Sequence, residues 1–164
     1  MVATVVAATI FFGLRFSAAQ TNSSQKGTSM PAHASGPFDV KLAPQPDDKV
    51  GDPTIGRMSI DKQLHGDLEA TSKGQMLTAM TEVKGSAGYV AIERVTGTLR
   101  TPKGDRNGSF ALLHRGIMTR GAPELSVTVV PDSGTGQLTG LTGTMMIHIV
   151  DGKHSYDFDY TLPK

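Results

Sequence analysis

A long alternation of apolar and polar residues, interrupted once by a turn, is the feature of this sequence that most limits its fold. Residues 85–118 read GSAGYVAIERVTGTLRTPKGDRNGSFALLHRGIM, with Val, Ile, Leu, Thr and aromatic residues on both sides of TPKGDRNG. Side chains alternate between the two faces of a strand, and Pro, Gly, Asp and Asn are typical of turns. The segment therefore predicts a β-hairpin.

Closing the hairpin so that Leu99 faces Gly108 gives a specific register. Because the side-chain period of a strand is two, every second pair, counted from Leu99, lies on the same face of the sheet. That face is apolar except for one carboxylate and one imidazole. The predicted pairs are Val95 with Leu112, Glu93 with His114, Ala91 with Gly116, and Tyr89 with Met118.

The rest of the chain shows the same alternation. Most even positions of residues 55–80 are apolar or small, and we divide this run into two strands near Gly66, with one long kinked strand as the alternative. The turn Asp151-Gly152 predicts a second hairpin, in which Ile147 pairs with Tyr156, Met145 with Phe158, and Gly143 with Tyr160. Further strands are predicted at 36–43, 125–129 and 136–150.

These segments give about eight strands joined mostly by short connections, with no amphipathic helix of useful length. Consecutive antiparallel strands in this number suit an all-β fold, a small closed antiparallel barrel; a β-sandwich is the alternative. The aromatic residues after the leader support one shared interior, since all of them fall on the inward face: Phe38, Tyr89, Phe110, Tyr156, Phe158 and Tyr160.

The outward face of the predicted barrel is unusually apolar. Either loops cover it, or barrels associate through their walls, and we favour a homo-oligomer because large apolar patches commonly mark interfaces. The outward residues are Val90, Ile92, Ala111, Leu113, Ile117, Val130 and Met146.

The N-terminus resembles a secretory signal peptide. Residues 2–14 form an apolar run, and small residues precede a cleavage point after Ala19, although no basic residue precedes the run. We therefore expect a signal peptide at 1–19, a disordered polar tether at 20–33 and a single barrel domain at 34–164. Cleavage would make the protein periplasmic or secreted; without cleavage it would be anchored or cytoplasmic.

Composition excludes several classes of function. The 16 basic and 15 acidic residues are not clustered, so no nucleic-acid partner is expected. Without cysteine there is no thiol chemistry, and His65, His148 and His154 lack metal-ligand spacing, so no metal is expected. Phosphate-loop, dinucleotide and nucleophile-elbow motifs are also missing, so we expect no cofactor.

Five sequence segments, which occur in the same order, resemble a bacterial family known as domain-of-unknown-function family 3224. The resemblance covers about residues 34 to 162 and implies an eight-stranded, calycin-like barrel similar to those of the allene oxide cyclases. It implies no activity and transfers no catalytic residue to this chain. The segments are GDLEATSKGQML (66–77), GSAGYVAIERVTGTL (85–99), GSFALLHRGIM (108–118), VVPDSGTGQLTGLTGTM (129–145) and DGKHSYDFDYTL (151–162).

Glu93 and His114 are the candidate catalytic residues. A carboxylate bonded to an imidazole fixes its tautomer and raises its basicity, whereas the alternative is a structural ion pair that sets strand register. Lys62 shares the inward parity, but we expect a bulge to turn it to solvent. The candidate ligand-binding residues are Tyr89, Phe110, Met76, Met118, Phe158 and Tyr156.

Three functions fit this sequence. The first is an exported barrel that binds a small hydrophobic or amphipathic molecule in its lumen. The second is a cofactor-independent isomerase or cyclase that uses Glu93 and His114. The third is a structural oligomer with a packed barrel, in which the outer wall carries the function. The sequence leaves open whether the protein is an enzyme.

Overall fold

A computed structural model of the chain describes residues 31–46 and 52–163. The predicted signal peptide and most of the predicted tether lie outside the described residues. The first strand, β1, begins at Ala32, four residues before the predicted start of this strand at Gly36. In the part of the chain that is described, no helix has the length and apolar character of a membrane span.

Eight antiparallel strands follow one another around a closed barrel. Strand β8 pairs with β1, which closes the sheet and confirms the predicted barrel against the sandwich. Closure removes the unpaired sheet edges that would otherwise invite association. The strands are β1 (Ala32–Pro44), β2 (Ile55–Leu64), β3 (Leu68–Met80), β4 (Ala87–Leu99), β5 (Arg106–Thr119), β6 (Ala122–Val129), β7 (Thr142–Val150) and β8 (Lys153–Thr161).

The division of residues 55–80 into two strands is confirmed. Strand β2 ends at Leu64 and β3 begins at Leu68. Gly66 lies between them with a φ of +90°, a left-handed conformation that glycine adopts without steric cost. A Cβ at this position would lie 2.6 Å from the carbonyl oxygen of Ser35, so both conformation and space favour glycine at this turn.

The predicted register of the C-terminal hairpin is confirmed, whereas that of the central hairpin is wrong by two residues. In the C-terminal hairpin, Ile147 pairs with Tyr156 as expected. In the central hairpin, Leu99 pairs with Arg106 and Ala91 with His114, because the connection spans only residues 100–105. A two-residue shift preserves side-chain parity, so the same residues still face inward.

The segment predicted as strand 136–150 is a strand only from Thr142 onward. Gly136–Leu138 forms a 3₁₀ turn, and the φ values of Gly136 and Gly140 are positive. This irregular stretch brings Leu138 and Leu141 into the interior, where both are fully buried. Apolar side chains in a connection can thus close one end of a barrel, although their spacing alone resembles that of a strand.

The interior has a densely packed end and a looser end. The packed end is closed by the turns after β2, β4 and β6, and it holds the large buried side chains. At the other end a small apolar cluster consists of Ile60, Met76 and Ala91. The predicted inward aromatics all lie inside, with Tyr89 only half-buried. The packed core comprises Ala34, Phe38, Leu64, Leu68, Ala70, Val95, Leu99, Phe110, Leu112, Val127, Val129, Leu138, Leu141, Met145, Tyr156, Phe158 and Tyr160.

The outer wall retains much of its predicted apolar surface. Ala111 is the exception, since it is buried beneath the connection after β6, where its amide donates a hydrogen bond to Ser133 Oγ. Val130 in the same connection is partly covered. The remaining predicted outward residues are exposed: Val90, Ile92, Leu113, Ile117 and Met146.

Candidate functional site

Glu93 lies in the middle of β4, inside the barrel, with only 1% of its surface exposed. Its neighbour across the sheet is Gly74 of β3. A Cβ on Gly74 would lie 2.6 Å from the Cβ of Glu93 and 2.5 Å from the carbonyl oxygen of Ile92. The absence of a side chain at Gly74 therefore gives the Glu93 side chain the room to turn into the interior.

Three side chains donate hydrogen bonds to the buried carboxylate. Lys62 Nζ lies 2.7 Å from Glu93 Oε1, and His114 Nε2 lies 2.8 Å from the same oxygen. Ser72 Oγ donates to Oε2 at 2.6 Å. These residues come from β2, β3 and β5, so the cluster ties four successive strands together around one charge.

The Glu93 carboxylate is ionised at neutral pH. Burial raises its pKa, but the hydrogen bond from His114 and the charge of Lys62 outweigh that effect and lower the pKa from 4.5 to about 2. An ionised carboxylate can only accept hydrogen bonds. In the neutral form of His114 the contact with Glu93 therefore requires the proton on Nε2, which leaves a lone pair on Nδ1.

The structure brings the predicted Glu93–His114 pair into contact, although the two residues are diagonal across the hairpin rather than directly opposite. The prediction for Lys62 is wrong: no bulge turns it outward, and only 7% of its surface is exposed. The ion pair with Glu93 compensates the cost of burying the ammonium group, whose Nζ also lies 5.2 Å from the ring centre of Phe38.

Ser72 was not among the residues predicted from the sequence. It occupies an inward position on β3, between Ala70 and Gly74, and is almost fully buried. A small hydroxyl at an inward position carries little sequence signal, because serine occurs in many strands without a functional role. Its parity was visible in the sequence, but its proximity to Glu93 depends on how two neighbouring strands are aligned.

A cavity of about 320 Å³ lies at the looser end of the barrel, next to this buried cluster. Lys62 and His114 belong to its wall, and most of the remaining lining is apolar. Its size and apolar character are those of a small-molecule site. The side chains around it include Phe38, Val40, Leu42, Ile60, Met76, Thr78, Met80, Tyr89, Ala91, Leu125, Ile147, Ile149 and His154.

Two of the six predicted ligand-binding residues, Met76 and Tyr89, line this cavity. Phe110, Tyr156 and Phe158 instead lie in the packed core at the opposite end. Met118 lies near the end of β5 and is 43% exposed. Parity indicates which face a side chain occupies, but the level of the side chain along the barrel axis depends on the strand register.

Tyr89 forms part of the cavity wall by packing across Gly116. A Cβ at Gly116 would lie 2.0 Å from the Tyr89 ring, so a side chain there would displace the ring from its place. Burial, together with the negative charge of Glu93, raises the pKa of Tyr89. Tyr89 therefore remains a neutral phenol at the side of the cavity.

The mouth of the cavity is lined by exposed apolar side chains that the sequence analysis did not single out. They lie on four different strands and surround the opening with hydrocarbon rather than charge. An apolar mouth favours entry of an apolar molecule over an ion. These side chains are Leu42, Met80, Leu125 and Ile149.

Within the described residues, no group of three or more His, Asp or Glu side chains has the arrangement of a metal site. The polar groups at the cavity include Lys62 and His114 of the Glu93 cluster and the phenol of Tyr89. Together these groups can hold a polar atom of a bound molecule and exchange a proton with it through the imidazole.

Comparisons with known proteins identify relatives but no activity. The family described as "Protein of unknown function (DUF3224)" matches residues 34–160. A crystal structure of a DUF3224 protein of unknown function from Shewanella oneidensis MR-1 is 50% identical, with a TM-score of 0.73, and the match covers 82% of this chain and 100% of that chain. No curated protein matches. Since the family match spans nearly the whole barrel and a solved member shares half of the aligned residues, this chain belongs to the DUF3224 family.

Proposed function

We propose that this protein binds a small hydrophobic or amphipathic molecule in the cavity at the looser end of its barrel. The observation that supports the proposal is the cavity of about 320 Å³, which has an apolar mouth and wall and a polar cluster at one side. Removing apolar ligand surface from water contributes roughly 25 cal/mol per Å², so such a wall provides most of the affinity. The polar cluster would select and orient the ligand.

Fluorescence titration with a neutral apolar probe, N-phenylnaphthylamine, tests this proposal. The probe brightens when it leaves water, and we expect saturable binding that unlabelled hydrophobic molecules displace. Ala91 lies in the cavity wall and is almost fully buried, so Ala91→Leu should fill the site and weaken probe binding at least tenfold. Ala79→Leu on the exposed face of β3 is the matched control and should bind like the wild type.

Two results would contradict the proposal. One is a lack of saturable probe binding by the folded wild-type protein. The other is equal binding by wild type and a folded Ala91→Leu variant, because the probe would then occupy a different surface. Circular dichroism of each variant establishes that the barrel is folded before its titration is interpreted.

A second candidate is a cofactor-independent isomerase or cyclase, which the 2.8 Å contact between Glu93 and His114 beside the cavity favours. In this reaction His114 Nδ1 would remove a proton from the bound substrate, while Glu93 stabilises the resulting imidazolium. A hydrophobic ketone in D₂O offers a direct test, because a general base exchanges the protons next to the carbonyl. Mass spectrometry should show faster exchange with wild type than with His114→Phe; exchange at the buffer rate would refute the candidate.

The exposed apolar wall supports the proposal that the protein forms a homo-oligomer through this surface. Ile92 and Leu113 are neighbours on the outer faces of β4 and β5, and both are exposed. Light scattering of wild type should show an assembly that Ile92→Lys dissociates, because a charge at the centre of an apolar contact is costly to bury. A monomeric wild type would contradict the proposal.

The leader supports the further proposal that the protein is exported. Cleavage after Ala19 would give a mature chain that begins at Gln20. Intact-mass measurement of protein from the extracytoplasmic fraction tests this, since the mature chain is lighter by the mass of residues 1–19. Full-length protein confined to the cytoplasm would contradict export.

A further inference from the structure

The charge of Lys62 is already compensated inside the protein. Its Nζ lies 2.7 Å from the ionised Glu93 and also near the face of the Phe38 ring. The buried pair of one positive and one negative charge has no net charge to offer a ligand. A ligand anion placed next to this pair would be attracted by the ammonium and repelled by the carboxylate, and it would lose its own hydration.

The carboxylate of Glu93 already accepts three hydrogen bonds and is almost fully buried. Lys62 and His114 donate to one oxygen, and Ser72 donates to the other. A ligand donor that approached Glu93 would have to displace one of these buried groups and leave it without a partner. Such a displacement costs about 1 to 3 kcal/mol, so Glu93 is not where a ligand donor binds.

Among the groups of the Glu93 cluster, the imidazole of His114 is the one that remains available to a ligand. Its Nε2 donates to Glu93, and within the described residues no hydrogen bond occupies Nδ1. His114 also lines the cavity. In the neutral imidazole, Nδ1 is a hydrogen-bond acceptor, and the bond at Nε2 makes it a stronger one.

We infer that the cavity selects an uncharged apolar molecule with a hydroxyl group, which donates its hydrogen bond to His114 Nδ1. The inference rests on the proposed binding function and names the ligand class for the same site. A carboxylate of equal chain length has no proton to donate to the lone pair of His114 Nδ1. The positive charge of Lys62, which would attract it, is already compensated by Glu93. An ether of equal size accepts hydrogen bonds but has no proton to donate, so it leaves Nδ1 unpaired.

Competition with three matched ligands tests this class. Nonanol and methyl octyl ether are isomers that differ in whether the oxygen carries a proton, and nonanoate replaces the hydroxyl with a charge. Each is titrated at pH 8 against wild-type protein loaded with N-phenylnaphthylamine. We expect nonanol to displace the probe at a concentration at least tenfold lower than either of the other two, the loss that a missing or mismatched hydrogen bond at a buried group produces.

Histidine variants locate the source of this preference. His114→Phe keeps an aromatic ring in the cavity wall but removes the acceptor, so the preference for nonanol over the ether should disappear. His148→Phe makes the same change on the outer wall, where His148 pairs with Asp157, and should keep the preference. If His114→Phe fails to fold, the wild-type ligand series alone decides the inference.

The outcomes separate this inference from the proposal on which it depends. If the probe binds but nonanoate or the ether displaces it as well as nonanol does, the hydroxyl selectivity is wrong and cavity binding stands. If the probe binds and a folded His114→Phe variant keeps the preference for nonanol, His114 is not the acceptor and the inference also fails. If wild type does not bind the probe, both the inference and the proposed function fail.

Discussion

At the scale of single residues, the buried carboxylate of Glu93 determines the chemistry of the interior. Alone it would be strongly disfavoured, because burial penalises the charged form. Lys62, Ser72 and His114 together reverse that preference by donating hydrogen bonds and, for Lys62, a positive charge. The same contacts fix the Nε2–H tautomer of neutral His114, so the electrostatics of Glu93 decide what His114 can offer a ligand.

The low pKa of Glu93 predicts that the folded protein loses stability as the pH falls. The folded protein keeps this carboxylate ionised down to about pH 2, whereas the unfolded chain protonates it near pH 4.5. The stability it contributes is therefore complete above about pH 4.5 and is lost as the pH falls toward 2. Glu93→Gln should destabilise the protein by about 3 kcal/mol at pH 7, because Lys62 loses its counter-charge, and by much less near pH 2.

Urea unfolding of wild type and Glu93→Gln at a series of pH values measures this difference. Glu82→Gln is the control, since Glu82 is exposed and its replacement should change stability by less than about 0.5 kcal/mol at every pH. A deficit of Glu93→Gln that stays constant from pH 7 to pH 2 would contradict the assigned pKa.

Two buried tyrosines at the packed end give a second residue-scale prediction. Tyr156 Oη donates to the carbonyl oxygen of His65 and accepts from the amide of Leu68, whereas within the described residues Tyr160 Oη has no hydrogen-bond partner. Tyr156→Phe should cost about 1 to 3 kcal/mol, because it leaves two backbone groups unpaired. Tyr160→Phe should be neutral or stabilising, since it removes an unsatisfied hydroxyl. Thermal unfolding of both variants compares them; equal losses would refute the assignment.

At the scale of elements, the pairing of β3 with β4 determines whether the carboxylate fits. Gly74 and Glu93 are directly opposite, and the inward side of Gly74 is filled by its neighbour across the sheet. A glycine in a strand weakens it on its own, since glycine contributes no packing and costs entropy. Here the missing side chain is what allows a long acidic one to bend into the barrel.

Gly74→Ala should therefore be strongly unfavourable. The added methyl group would lie 2.6 Å from the Cβ of Glu93 and 2.5 Å from a backbone oxygen, so one strand must shift, at a cost of about 1 to 3 kcal/mol. Gly88→Ala on β4 is the matched control, because its nearest contact would be 3.9 Å away and its φ is not positive. Urea midpoints measure both; if Gly74→Ala is as stable as Gly88→Ala, the steric argument fails.

At the scale of the whole molecule, the interior of the barrel has a packed end and an end that holds the proposed binding cavity. One end is filled by aromatic and branched side chains, among them Phe110 stacked 5.8 Å from Phe158. The other end keeps an open cavity. Because the Glu93 cluster lies between the two, a change in the packed end should alter stability, and a change at the mouth should alter binding.

Truncations at the two ends test this division. Leu112→Ala removes a fully buried side chain from the packed core and should cost about 2 to 5 kcal/mol. Met80→Ala at the mouth, where Met80 is exposed, should cost less than about 0.5 kcal/mol but weaken binding of N-phenylnaphthylamine. Chemical unfolding and probe titration are measured on both variants. A large loss of stability in Met80→Ala would show that the open end also supports the fold.

Much of the architecture followed from local patterns. Alternation identified the strands, turn residues placed the C-terminal hairpin in its correct register, and inward parity correctly grouped the aromatic residues with Glu93 and His114. Such inferences succeed because they depend on the two-residue period of a strand, which each segment carries by itself. The predicted strand around Leu138 was wrong because that prediction also used only the local period. A glycine-rich connection can show a two-residue period without pairing with another strand.

The amino-acid sequence by itself determined the antiparallel strands, the inward face and the presence of an acid and an imidazole on it, while the pairing of β8 with β1 decided for a barrel over a sandwich. Only the tertiary structure decided the level of each side chain along the barrel axis, and hence that Phe110 and Phe158 fill the core while Met76 and Tyr89 face the cavity. It also decided that Lys62 and Ser72 meet Glu93. The face on which a side chain lies is a property of one strand. Its level along the barrel axis and its contacts depend on the register between strands, and a shorter turn can shift that register by two residues without moving any side chain to the other face.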